Sequence, residues 1–437
     1  MIADVRVIAV ALLLGTTTLA PCAAQSMFRG EATHSGVLRD SAPRAFHRVK
    51  WTFATGDAVV SSPVWFDGKV IFGSDDGSVY AVDASSGRQT WQFKTGGPVP
   101  STPAIANGNV YMASYDGKVY ALDAVSGELR WKFATEGERR FEARGLHGMQ
   151  PRQQTFADPF DVFLSSPTVV GTSVYVGSGD GHVYALDAAT GALRWKFRTD
   201  DVVHASPAIA DGVVYVGSWD GRLYAIDAQT GAERWRFQAG IDPLMHNQQG
   251  FQSSPAVVDG VVYVGCRDAN LYALDAKTGQ ERWRFATGLS WVVGSPAVRD
   301  GRVIFATSDS SLYHVVDAVT GKPVLQQQAK AYLFSSPTIA GDVVLIGVLN
   351  GTLEARDFAT GALLWDYSTD ASRANQGWAL TADRRFNTPM TFRSGWREGM
   401  ALAFARQSGV GSIFSTPLVA GGVVYVGSAD GRLYALE

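Results

Sequence analysis

The stretch "GSWDGRLYAIDAQTGAERWRFQAG", Gly217–Gly240, decides the fold. With "SPAIADGVVYV" before it, it divides into four short runs: "SPAIA" from Ser206, "VVYVGS" from Val213, "RLYAID" from Arg222 and "AERWRFQ" from Ala232. Apolar and polar residues alternate within the runs, β-branched and aromatic side chains dominate, and glycine sits in the turns between them. That pattern predicts strands joined by tight hairpins. One four-stranded antiparallel sheet of this kind leaves two open edges and an apolar face. Packing many such sheets radially buries the faces and protects the edges.

Working outward, a Ser-Pro or Thr-Pro step marks each copy, at Pro63, Pro103, Pro167, Pro207, Pro255, Pro296, Pro337 and Pro417. The spacings are 40, 64, 40, 48, 41, 41 and 80, a basic period near 40 with insertions, which is the length of a propeller blade. The pattern Ala-x-Asp-x-x-x-Gly-x-x-x-Trp ends on Trp91, Trp131, Trp195, Trp235, Trp283 and Trp365. The sixth unit keeps Val315, Asp317 and Gly321 but carries Leu325 in place of the indole. The small Ala and the Gly are expected to make room for a neighbouring blade's indole, which would fix blade-to-blade geometry. The last copy, "GSADGRLYALE", stops after its third strand. "RVKWTFATG", Arg48–Gly56, is a fourth strand without its predecessors, and its Trp51 supplies an eighth Trp-strand residue. The expected fold is therefore all-β: an eight-bladed propeller of four-stranded antiparallel blades. The N-terminal strand completes the C-terminal blade and closes a ring, expected to be monomeric.

Composition agrees. The 437 residues are 46% hydrophobic and 18% charged, with 47 glycines and a net charge of −3. Neither nucleic acid nor an anionic membrane surface is suggested as a partner. Residues 1–24 read as a signal peptide: Arg6, a short apolar run Val7–Leu14, and Cys22-Ala23-Ala24 before the cut. Residues 25–437 then form one exported propeller, periplasmic or secreted. Lipidation at Cys22 is the alternative, opposed by Pro21 in "LAPC". After such a cut Cys266 is the single cysteine, read as a small buried apolar residue. No later run is long enough for a transmembrane helix.

The recurring "DAxTGxxxW" resembles the tryptophan-docking repeat of pyrroloquinoline-quinone (PQQ) propellers, from about Trp51 to Glu437. Two groups share it: the PQQ-dependent alcohol dehydrogenases, and the non-catalytic propeller lipoprotein of the outer-membrane β-barrel assembly machinery. The first resemblance implies PQQ, a calcium ion held by carboxylate and amide side chains, and a disulfide between adjacent cysteines over the quinone. This sequence has no adjacent cysteine pair, no "CxxCH" haem motif and no calcium ligands assignable by motif. The second implies a binding protein with no cofactor.

Asp76, Asp116, Asp180, Asp220 and Asp430 precede glycine in hairpins, and Asp83, Asp123, Asp187, Asp227 and Asp275 open the next turn, so these carboxylates read as turn caps. Asn350-Gly351-Thr352 fits a glycosylation sequon but reads as another hairpin. Three insertions, near 136–163, 240–252 and 366–411, all fall between a Trp strand and the next blade's Ser/Thr-Pro strand. They should therefore share one face, around the channel mouth. The third carries a local charge of +2. The candidate binding residues of this funnel are His147, Arg152, His204, His246, Asn247, Gln248, Arg373, Asn375, Trp378, Arg384, Arg385 and Trp396. A protein partner or a small polar or anionic ligand is expected there. No catalytic or metal-ligating residues are assigned, although three histidines converging on the mouth raise a metal site as an option. Three readings follow: a non-catalytic binding or scaffold protein, a PQQ- and calcium-dependent dehydrogenase, and a carbohydrate-binding or carbohydrate-cleaving propeller.

Overall fold

The computed structural model describes residues 25–241, 250–391 and 396–437; the signal-peptide reading of residues 1–24 lies outside these. The chain is an eight-bladed propeller of small antiparallel sheets. In the blade that contains the opening stretch, the strands are Ala208–Ala210, Val213–Gly217, Arg222–Asp227 and Glu233–Gln238. The second strand is wholly buried, whereas the fourth alternates between exposed and half-buried positions. The short first strands of successive blades contact one another around the axis.

The tryptophans do two separate things. Each lies opposite the motif alanine of its own blade, as in Ala81 with Trp91, Ala185 with Trp195 and Ala273 with Trp283. The expectation that this alanine makes room for a neighbour's indole is thus amended: it faces its own blade's ring. The glycine faces the neighbour's. A Cβ added to Gly127 would lie 2.7 Å from Trp91, and one added to Gly231 would lie 2.8 Å from Trp195. Gly127 also has φ +74°, which disfavours any side chain there. The indole Nε1–H of Trp91 donates to Ala124 O at 3.2 Å, and those of Trp195 and Trp283 donate to Ala228 O and Ala318 O at 3.0 Å. Trp91 and Trp195 are buried and Trp283 half-buried, each with its single polar group satisfied.

The split unit shows how strictly this contact is kept. Val49–Ala54 pairs antiparallel with Arg432–Leu436 in the last sheet, with Trp51 opposite Ala435. Trp51 lies on Gly87 and donates to Ala84 O at 3.0 Å. Trp365 meets no turn glycine among the described residues. Pro43 O accepts that indole instead, at 2.9 Å. In the sixth unit Leu325 packs on Gly361 where an indole would lie.

A belt of hydroxyls encircles the axis at the Ser/Thr-Pro steps. The N–H of Ser62 donates to Thr102, Thr102 to Ser166, Ser166 to Ser206, Ser206 to Ser254, Ser254 to Ser295 and Ser295 to Ser336, at 2.8–3.3 Å. The N–H of Thr416 donates to Ser62 Oγ at 2.9 Å. Each bond joins one blade to its neighbour.

On the side away from the insertions, residues 25–38 coil under the channel and reach every blade. Backbone N–H groups of Trp65, Ile105, Ile209, Val257, Val298 and Ile339 donate to Gln25, Ser26, Ala32, Thr33, Ser35 and Gly36. Gln25 Nε2 donates to Val419 O at 2.7 Å, and His34 Nε2 lies 3.2 Å from Thr168 Oγ1. Val37–Leu38 adds a parallel fifth strand to the seventh sheet.

Removing residues 25–56 should lower the thermal midpoint of the whole molecule rather than fray one blade. Trp51→Ala alone should cost about 3–5 kcal/mol. Calorimetry checks both: an unchanged midpoint and an unchanged single transition in the truncated chain would refute the closure by this segment.

Candidate functional site: the insertion face

Residues 136–163 form a hairpin, Glu142–Arg144 with Thr155–Ala157, bridged by a 3-10 turn Leu146–Gly148. Its apolar side packs Phe141, Leu146 and Met149 against Val202 and Trp219, with Phe141 stacked on Trp219 at 4.5 Å. Of the second insertion, Phe251 and Gln252 are described and buried. The third contains the helices Asp370–Ala374, Thr388–Thr391 and Trp396–Ser408. It begins later than expected, because the Trp strand of its blade, Leu363–Ser368, runs past Asp366. The insertions meet over the channel: Phe160, Val162 and Phe163 from the first and Phe404 and Phe414 near the end of the third pack with Val60, Trp291 and Phe334. Phe160 meets Phe404 edge-on at 4.7 Å.

Beneath the first insertion lie two buried polar clusters. Arg267 is fully buried and sandwiched between Trp219 and Trp291, its guanidinium carbon 4.3 Å from each ring centroid. It donates to Asp158 Oδ2 at 2.5 Å and twice to Gln252 Oε1. His147 Nε2 lies 2.9 Å from the other Asp158 oxygen. Burial pushes the Asp158 carboxyl up, but the charge of Arg267 and the His147 bond outweigh it, and the pKa falls to about 2. In the second cluster His204 places Nδ1 2.8 Å from Asp161 Oδ1 and Nε2 2.9 Å from Glu138 Oε1. Burial would lower the imidazole pKa; the two carboxylates reverse this and raise it to about 10.

The structure distributes the expected funnel residues unevenly. His147 and His204 are buried under the first insertion and committed to carboxylates. Arg384 is paired with Asp366 at 2.5 Å, Arg373 with Asp370, and Asn375 Nδ2 donates to Ala371 O at the end of its helix. Arg152, Arg385 and Trp378 are exposed, with Arg385 3.0 Å from Asp383. His246, Asn247 and Gln248 lie outside the described residues, as does the side chain of Trp396. Among the described residues no group of three His, Cys, Asp or Glu side chains is arranged to hold a metal.

Beside the aromatic cluster a cleft opens between the first hairpins of the ring and the insertions. Its polar lining is Asp75, Tyr115, Arg140 and Ser408, among Val60, Val162 and Phe414. Among the described residues Asp75 Oδ1 and Ser408 Oγ have no hydrogen-bond partner. Burial, reinforced by Asp57 and opposed by Arg140, lifts the Asp75 carboxyl to about 7. Sequence reasoning missed these residues and missed Arg267, Asp158, Asp161 and Glu138. One signal was available: where four of the eight units read Gly-Ser-x-Asp-Gly, the fifth reads Gly265-Cys266-Arg267-Asp268-Ala269 and puts an arginine at the variable position, which marks the buried cation. Cys266 itself is buried, which pushes its thiol pKa well up. Asn350 is also buried, and its Nδ2 donates to Arg384 O at 2.9 Å, as a hairpin residue rather than a glycan acceptor.

The dehydrogenase cofactor can be tested against this geometry. A planar quinone bearing carboxylates needs an open slot with cationic groups turned into it, beside a metal held by several oxygens. Here the aromatic cluster fills the mouth, and the buried Arg267 is used by Asp158 and Gln252. Neither the aromatic cluster nor Arg267 offers such a slot; Arg140 lines the open cleft beside them.

Fold and site together define a propeller of PQQ-like repeats with insertions gathered on one face. A family model described as outer membrane protein assembly factor BamB matches residues 44–161, 152–287 and 245–437, and the chain belongs to that family. The outer membrane protein assembly factor BamB of Shewanella oneidensis is 28% identical over 153 residues, which are 31% of this chain and 38% of the length of that relative. BamB from Moraxella catarrhalis superposes with a TM-score of 0.65 at 17% identity, over 89% of this chain and 99% of that one. The quinohemoprotein alcohol dehydrogenase from Comamonas testosteroni superposes with a TM-score of 0.66 at 14% identity, over 94% of this chain and 80% of that one. These two structural likenesses concern the fold.

His204 should make alkaline stability sensitive to one residue. The fold favours its charged form, so the contribution is complete below the free-histidine pKa of 6.5 and is lost as pH rises through about 10. His204→Gln should lose about 3 kcal/mol at pH 7 by leaving two buried carboxylates without a cation. The denaturation midpoints of variant and wild type should converge by pH 10.5. A gap independent of pH would refute a charged His204.

Proposed function

We propose that this protein is an exported, non-catalytic scaffold that assists outer-membrane protein assembly by binding protein partners with its insertion face. The observation that carries the reading is membership of the BamB family across residues 44–437. The site supports it. The insertions are braced from below by buried ion pairs and an aromatic cluster, so the ordering entropy of a binding surface is spent before a partner arrives. What they leave outside suits a protein surface: Trp378 at 40% exposure, Arg152, Arg385, and the cleft between Asp75 and Arg140. Aromatic and arginine side chains are the usual anchors of such contacts. Among the described residues no helix is long and apolar enough to cross a membrane. The family membership supports a periplasmic place at the outer membrane.

Deleting the gene should reduce folded outer-membrane β-barrels, measured by heat-modifiable mobility of membrane fractions. Re-expression of the wild type, but not of a chain with Arg152→Ala, Trp378→Ala and Arg385→Ala, should restore them. A control with Lys69→Ala, Lys118→Ala and Arg222→Ala in the repeats should restore them fully. Normal β-barrel levels in the deletion strain, together with PQQ- and calcium-dependent dye reduction by the pure protein, would replace this reading with a dehydrogenase.

A further inference from the structure

The propeller axis collects hydrogen-bond donors between two buried cations: His204 on the insertion side, already met by Asp161 and Glu138, and Arg29 on the side of the N-terminal segment. All eight belt hydroxyls line one axial cavity, bounded by Phe28 from the N-terminal segment and by Phe163, Phe334 and Phe414 from the insertion side. A hydroxyl has one proton and two lone pairs. Seven of the belt oxygens already accept a neighbouring blade's N–H. That leaves their O–H protons free to turn toward the axis. An adjoining cavity shares Phe28, Ser62, Thr102 and Thr416 with the first and is lined by Arg29. Arg29 is 3% exposed. Its Nη atoms donate to Pro337 O and Pro296 O at 2.6 and 2.7 Å, and its Nε has no hydrogen-bond partner among the described residues. Neither cavity is lined by Asp or Glu.

A guanidinium buried without an anion is an expensive group. Burial alone drags its pKa down to about 9, with no neighbouring carboxylate to offset it. It still carries its charge at neutral pH. His204 already has its carboxylates on the far side of the belt, whereas Arg29 has none, so the guanidinium and the O–H donors beside it call for one negative charge of small radius. A polyatomic dianion would bring a second charge with no cation to meet it, and it would have to shed a larger hydration shell between phenyl rings.

We propose that the propeller axis, between Phe28 and the hydroxyl belt, binds a small monovalent inorganic anion of the halide class, held by the belt O–H groups and the charge of Arg29. The anion would bridge two parts of the chain, since Arg29 belongs to the segment under the channel and the hydroxyls belong to the blades. Halide binding should therefore fasten that segment to the ring.

The probe is bromide. Crystals of the full chain grown in sodium bromide, with data collected at the bromine edge, should show an anomalous peak on the axis within about 3.5 Å of belt oxygens. In solution, replacing gluconate by chloride or bromide at constant ionic strength should raise the melting temperature by about 3 °C or more. That rise should vanish in Arg29→Gln. If Arg29→Gln does not fold, Ser254→Ala with Ser295→Ala, which removes belt donors and leaves Arg29 in place, should shrink it. Bromide peaks confined to the outer surface, an adventitious ion only, would overturn the proposal. So would a halide effect of equal size in the variants. The wild-type diffraction experiment decides without any variant.

Discussion

An indole laid across the turn glycine of the next blade, with its N–H on that blade's carbonyl, is the contact from which the rest of this molecule is built. A lone four-stranded sheet of these sequences would be marginal in water. The ring gives each sheet two neighbours, and the tryptophan sets the angle between them by shape and by one directed hydrogen bond. The exceptions show which half matters more. Leu325 fills the groove on Gly361 but has no N–H to donate, and the sixth blade still packs. Trp365 meets no turn glycine among the described residues, and the chain brings Pro43 to its N–H. The fit on a turn glycine is kept at the other seven junctions, and the indole donor is satisfied at all seven tryptophans.

That contact was legible because it repeats. Trp51 stood out in a strand without companions only because the same strand recurs upstream with its companions attached. The Ser/Thr-Pro step was equally visible as a marker, but its use was not. Each hydroxyl acts on a residue one blade away, and one unit read alone gives no hint of a belt. Residues 25–38 were invisible to periodicity: they resemble no repeat, and their order comes from contacts with all eight blades. On the insertion face, placing loops between a Trp strand and the next Ser/Thr-Pro strand named the right face but not the direction of any side chain. His147 and His204 looked like ligands because of their residue type. The hairpin instead turns Asp158, Asp161 and Glu138 onto them from below.

The insertion face is therefore organised as a platform. Its strongest interactions, the Arg267 sandwich and the His204 pair, are spent inward to hold an irregular hairpin on a regular ring. The second insertion joins this through Gln252, which accepts from Arg267 and donates to Phe160 O at 2.7 Å. The polar groups left for solvent sit on top of a braced support. A surface of this kind meets a partner with little rearrangement.

The pairing of Val49–Ala54 with Arg432–Leu436 also sets the order in which the molecule can be made. Arg48 and Glu437, which bond one another, stand 389 positions apart, and Gln25 and Val419 stand 394 apart. On a ribosome the first of these is synthesised long before the second exists. Blades one to seven can form as they emerge, but the eighth must wait for Arg432–Leu436, and the segment under the channel cannot be fully seated until every blade is present. The earliest part of the chain is the latest to find its place. Long-range closure of this kind is slow. A polypeptide that depends on it stays open and threadable until its strand at 432–436 has been made, and only then can it become a ring.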